Sequence, residues 1–123
     1  IEKRLARHSR NSQALINGIE AMGLEMHAQE GYRLPSLNTV VIPKSVTDIN
    51  VRRMILDCFN IEIGGGLGIL RGKIWRVGLM GMNSTEKNVI LLLEALERTL
   101  RKEGYHVKPS SGVGAAIDFY DST

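Results

Sequence analysis

The stretch Ile61–Gly81, IEIGGGLGILRGKIWRVGLMG, decides the fold. Ile61 to Ile63 reads as a short apolar strand, a glycine-rich connection follows, and Lys73 to Leu79 reads as a second strand. The second strand carries one arginine, Arg76, among apolar neighbours. A charge in a buried strand destabilises the fold unless an anion partners it. Alternation puts Trp75, Val77 and Leu79 on one face, the natural core face, and Ile74, Arg76 and Gly78 on the other. Gly78 leaves space beside the guanidinium. Glu62 falls opposite to Ile61 and Ile63, on the side where it can meet Arg76. Two partners for Arg76 therefore stay open. One is Glu62 of the same chain; the other is a ligand carboxylate or phosphate, both of which suit arginine's planar fork.

The glycine loop does not read as a nucleotide motif. GGGLG lacks the final glycine of the dinucleotide pattern, and a strand follows where a helix is needed. Gly72-Lys73 invites a phosphate-loop reading, but Leu67 stands where its first glycine belongs and Ile74 where its Ser or Thr belongs. What is left is a wide connection between strands, with exposed amides close to Arg76.

Outward from this pair, residues 1 to 22 read as a helix with Leu15, Ile16, Ile19 and Met22 at helical spacing and Gly23 to end it. Its first half, with Arg4, Arg7, His8 and Arg10, is mostly polar and suits a bridge to another domain. Leu24 to Ala28 reads as an edge strand, Glu30 to Ser36 as a loop, and Thr39 to Ile42, closed by Pro43, as a buried strand. Ser45 or Thr47 can cap a helix whose apolar face holds Ile49, Met54, Ile55, Cys58 and Phe59. Asn83 and Glu86 resemble a capping box for a long helix lined by Val89, Leu92, Leu93, Leu96 and Leu100 and stopped by Gly104. Ile90 and Leu91 widen that face toward another domain or subunit. The Gly- and Ser-rich residues 105–123 are expected to be a loosely held tail after a domain spanning 1–104. The order of elements predicts an α+β fold, a mostly antiparallel sheet with helices on one face.

The 123 residues suffice for one core. The net charge of +3 is spread along the chain and aromatic residues are 5%, so nothing supports a nucleic-acid partner. No apolar run approaches membrane-spanning length and no stretch reads as a signal peptide, so no membrane partner is expected. The single cysteine, Cys58, has no internal disulfide partner and fits a reducing, intracellular compartment. Asn83-Ser84-Thr85 matches a glycosylation sequon but reads better as a helix cap. A first residue of Ile1, already helical in pattern, suggests a piece of a longer protein. His8, His27 and His106 form no metal-ligand pair, and Ser110-Ser111-Gly112 is not a nucleophile elbow. Lys3, Lys44, Lys73, Lys87, Lys102 and Lys108 sit in no obvious desolvated pocket, so no complete catalytic set is visible.

The runs RLPSLNTVVIP (33–43), FNIEIGGGLG (59–68) and GKIWRVGLMGMNSTEKNV (72–89) resemble the C-terminal small domain of alanine–glyoxylate (serine–pyruvate) aminotransferases. These are pyridoxal-phosphate enzymes of fold type I, class V. The resemblance runs from about Ile1 to Leu100 and is most specific in IEIGGGLG and WRVGLMG. It implies that Arg76 binds the substrate's α-carboxylate, with Gly65 and Gly66 of the glycine loop bordering the same pocket by close backbone approach. It implies that the Schiff-base lysine, the aspartate on the pyridine nitrogen and most phosphate ligands lie upstream in a large domain. This chain would then carry no catalytic, cofactor-binding or metal-binding residue and would not transaminate alone. The full enzyme would be a homodimer moving an amino group from alanine or serine to glyoxylate or another 2-oxo acid. It would reside in peroxisome, mitochondrion or cytoplasm; the ending Asp121-Ser122-Thr123 is not the peroxisomal tripeptide of some relatives. Two other readings stand beside this one: an autonomous small-ligand-binding α+β module without catalysis, and an interaction domain with Arg76 locked to Glu62.

Overall fold

The computed structural model describes residues 2–27, 37–78 and 84–122. The loop expected over 30–36, and Leu79 and Asn83, lie outside the described residues. Helix α1 (Glu2–Ala21) buries Leu15, Ile16 and Ile19, and Met22 just beyond it, as its spacing predicts. It stops at Gly23, which takes φ +87. The amides of Gly23 and Leu24 turn back to the carbonyls of Glu20 and Ile19 at 3.0 and 3.2 Å, which closes the last turn.

Four short strands form one antiparallel sheet: β1 (Glu25–Met26), β2 (Leu37–Val41), β3 (Gly64–Gly65) and β4 (Ile74–Gly78), in the order β1-β2-β4-β3. The arginine strand β4 is therefore interior, paired on both sides. Thr39 and Gly64 stand opposite Arg76, and Val40 and Gly65 stand opposite Trp75. Met26, Val40, Trp75 and Val77 face the helices and are buried. Ile74 is equally buried, yet it belongs to the other face and lies outside the main core, against Gly66 of the glycine loop.

The strand expected at 61–63 begins later, at Gly64. The physical reason lies at the end of helix α2 (Asp48–Phe59). Asn60 caps α2 in the left-handed region (φ 56), and Ile61 and Ile63 turn into the core, Ile63 to 4% exposure. Only the glycines come close enough to β4 to pair with it. Helix α2 also buries a narrower face than expected: Val51 and Ile55, one turn apart, go inside, whereas Ile49 and Cys58 are exposed. Thr47 occupies its N-cap without a side-chain bond.

Helix α3 (Glu86–Lys102) is capped by Thr85, whose hydroxyl accepts the Asn88 amide at 3.1 Å. Val89, Leu92, Leu93, Leu96 and Leu100 are buried, and Gly104 ends the helix at φ +91.

The loosely held tail expected over 105–123 is not what the structure shows. Residues Ser111–Ser122 form a helix, α4, that packs on α1 and buries Gly112, Ala116 and Tyr120. Gly112 is there for contact, not slackness. A Cβ on Gly112 would stand 3.0 Å from the Gly18 carbonyl, and one on Gly18 would stand 2.5 Å from a Leu93 methyl. The start of α4 is held from another element. Buried Glu97 of α3 accepts the Gly112 and Val113 amides on one carboxylate oxygen (2.7 and 3.0 Å) and the Ser110 amide on the other (3.0 Å). A cap supplied by a residue on another helix leaves no local signal in the sequence.

Candidate carboxylate-binding site

Arg76 projects from the middle of β4 onto the face away from the helices, between Thr39 and Gly64. Gly64 has no side chain, and the guanidinium lies in the space this leaves. A Cβ there would stand 3.3 Å from Nη2 and 3.4 Å from Nε. The Nε–H donates to the Gly65 carbonyl at 2.7 Å. This one bond fixes the plane of the group and leaves both terminal nitrogens pointing onward. Among the described residues, Arg76 forms no ion pair; Glu62 does not meet it. Glu62 is exposed and lines a cleft of about 500 Å³ formed with Phe59, Asn60, Gly78, Asn88 and Leu91. Of the two partners that spacing left open for Arg76, the internal one is not used.

The other two residues singled out from the sequence fall on either side of this arrangement. Gly65 supplies the carbonyl that holds Arg76. Gly66 is buried, and a Cβ on it would stand 2.1 Å from the Leu70 carbonyl, so its part is to let the loop fold back. Past it, Gly68–Leu70 forms a single 3-10 turn. The Leu70, Arg71 and Lys73 amides bond to Leu67, Gly68 and Leu70 carbonyls at 2.9 to 3.2 Å, which holds the loop on itself.

A second cluster lies beneath the strand, and the sequence reading passed over it. Asp48 at the start of α2 accepts Arg52 Nε and Nη2 (2.8 and 3.2 Å) and the indole N–H of Trp75 (2.8 Å). Hydrogen bonding to Asp48 raises the Arg52 pKa above its ordinary value, against the opposing effect of burial. The i, i+4 spacing of Asp48 and Arg52 was visible in the chain, but nothing in it pointed Trp75 at the carboxylate. Among the described residues no group of His, Cys, Asp and Glu could hold a metal, and no helix is long and apolar enough to cross a membrane.

Chemically, the site is an oriented guanidinium whose two terminal nitrogens have no partner among the described residues, suited to a planar anion with two oxygens. No family model matches the chain. Individual relatives do. The chain is 36% identical over 122 residues to a (S)-ureidoglycine–glyoxylate transaminase of Bacillus subtilis, covering 99% of this chain and 29% of that protein. The crystal structure of the ureidoglycine–glyoxylate aminotransferase of Bacillus subtilis superposes with a TM-score of 0.94 at 37% identity, over 98% of this chain and 31% of that one. An alanine–glyoxylate aminotransferase structure from Nostoc sp. gives 0.76 at 50% identity over 78% of this chain and 26% of that one.

Fold and sequence thus define an aminotransferase small domain. The chain belongs to the alanine–glyoxylate aminotransferase family, class V, and spans about a third or less of the length of these relatives.

Proposed function

We propose that this domain is part of a pyridoxal-phosphate aminotransferase in which Arg76 holds the carboxylate of an amino acid or 2-oxo acid. The reaction we assign is transfer of an amino group from alanine or serine to glyoxylate or another 2-oxo acid. One observation carries the reading: Arg76 is tied at Nε to the Gly65 carbonyl, yet has no carboxylate of its own among the described residues. A cation fixed in place but left without an anion among the described residues is held ready for a ligand. A bidentate contact there fixes the substrate's orientation, and the glycine loop beside it admits the substrate close to the backbone.

The residues of this chain do not fit the cofactor. Pyridoxal phosphate acts as the electron sink of amino transfer once a lysine holds it, and such a lysine is desolvated. All six lysines here are exposed. In our reading the cofactor belongs to a large domain of the same polypeptide, within an intracellular homodimer. The relatives, about three times as long as this chain, leave room for that domain.

In the full-length enzyme Arg76→Ala should raise KM for L-alanine by about 100-fold or more, the loss of a charge-assisted pair in a desolvated pocket. An unchanged KM would remove Arg76 from the site. Incubated alone with pyridoxal phosphate and reduced with borohydride, the chain should give no single stoichiometric lysine adduct. Such an adduct would place the chemistry in this domain instead.

A further inference from the structure

The two glycines of β3 have opposite faces, and each face carries an arginine. Where Gly64 would place a Cβ, Arg76 lies at 3.3 Å; where Gly65 would place one, Arg52 lies at 3.2 Å (Cζ) and 3.3 Å (Nη2). A two-residue strand is thus sandwiched between two guanidinium groups, and the carbonyl that orients one belongs to the residue on which the other lies. Arg52 is itself fixed. Asp48 takes it with both carboxylate oxygens, at 2.8 and 3.2 Å, and Asp48 is fixed in turn by the indole of Trp75 at 2.8 Å. Trp75 is 1% exposed and precedes Arg76 in β4, so the circuit closes through the backbone of the arginine it serves.

We propose that Arg52, held by Asp48, is a positioning residue for the Arg76 fork and acts through the Gly64–Gly65 peptide. The proposal rests on the reading of Arg76 as the carboxylate binder. A free arginine side chain has many rotamers, and ordering it on binding weakens affinity; ordering it beforehand does not. Arg52 does this without touching the substrate. It presses on the face of β3 opposite Arg76 and keeps the Gly65 carbonyl where Nε–H can reach it. Glycine at both positions is what allows the two planar groups to approach the same short strand.

The test uses the full-length holoenzyme with Arg52→Gln, Asp48→Asn, Arg76→Ala and the double variant Arg52→Gln/Arg76→Ala. Three quantities are read: KM and kcat for L-alanine, the Kd of propionate by calorimetry, and the thermal midpoint. Propionate reports the carboxylate contact without the amino group. Arg52→Gln and Asp48→Asn should each raise KM and the propionate Kd by about tenfold, with kcat within about twofold of the parent. The double variant should bind propionate no worse than Arg76→Ala alone, because Arg52 acts only through Arg76. An unchanged propionate Kd in Asp48→Asn, with a large loss in Arg76→Ala, would overturn the positioning role and leave the carboxylate reading standing. Additive losses in the double variant would overturn it as well, by showing that Arg52 acts independently. If Arg76→Ala itself leaves the propionate Kd unchanged, the carboxylate reading falls and this proposal falls with it. Should Arg52→Gln not fold, Asp48→Asn decides by the same measurements.

Discussion

Two parts of this molecule use the same materials, close-packed glycines and buried charge, to opposite ends. In the helical corner, α1 and α4 touch through Gly18 and Gly112, and the charges of Glu97 and Arg10 there both have partners. Glu97 takes three backbone amides. Arg10 pairs with Glu86, donates to the Tyr120 carbonyl at 3.2 Å and lies over the Tyr120 ring at 4.7 Å. At the sheet, Gly64 and Gly65 likewise admit close neighbours, and Asp48 is likewise saturated. Arg76 is not: one bond orients it, and its two terminal nitrogens have no partner among the described residues. Saturated charges hold a fold together. In the proposed reading, the charge that is oriented but left unsaturated is where a ligand completes the arrangement.

The contrast can be broken at either end. The largest stability effect should come from Glu97→Ala. It orphans three backbone donors next to α4, at about 1–3 kcal/mol for each that water does not reach, so a loss of about 4 kcal/mol is expected in chemical denaturation. A loss below about 1 kcal/mol would mean that the α4 start is satisfied without Glu97. Gly112→Ala should follow at about 2 kcal/mol, because the new Cβ meets Met22, the Glu97 carboxylate and the Gly18 carbonyl at 2.9 to 3.0 Å. Neither change should alter the propionate Kd of the full-length enzyme by more than about twofold, if the corner serves only the fold.

The smallest effect sharpens the comparison from the side of pH. Burial, reinforced by the charge of Glu86 and opposed by Arg10, pushes the Tyr120 hydroxyl up to about 12. That hydroxyl donates to Asn11 at 2.7 Å. The unfolded chain loses the phenol proton near the ordinary value of about 10, before the folded chain does. Tyr120 therefore stabilises the fold below pH 10, and this contribution disappears as pH rises from about 10 to 12. Tyr120→Phe should be less stable at pH 8 and should flatten the fall in thermal midpoint over that interval. An equally steep fall in Tyr120→Phe would assign the dependence to other groups.

Much of this was legible in the chain because it is local. The alternation of Lys73–Leu79 put Trp75 and Val77 inside and Arg76 on the other face. Gly23 and Gly104 marked helix ends that take the left-handed conformation. The resemblance of IEIGGGLG and WRVGLMG to the family pointed to Arg76, and the matches to solved structures confirm the fold. What escaped the sequence is what depends on residues far apart. Glu97 caps a helix that begins 14 positions later, so residues 105–123 read as slack when only their own composition was considered. Asp48 and Trp75, 27 positions apart, meet only once α2 lies under β4. Spacing alone favoured Glu62 as the partner of Arg76 because face and strand neighbour are readable, whereas the turn at Asn60 that leaves Glu62 exposed is not.

The central claim, that an unsaturated arginine binds and a saturated one builds, is tested most directly by exchanging the two arginines for alanine in the full-length enzyme. Propionate affinity and thermal midpoint would be measured for Arg76→Ala and for Arg10→Ala. The account predicts a crossed result: Arg76→Ala weakens propionate binding by about 100-fold with a midpoint near the parent's, and Arg10→Ala lowers the midpoint with propionate binding unchanged. If Arg76→Ala instead lowers the midpoint and binds propionate as the parent does, Arg76 is a structural residue and the account is wrong.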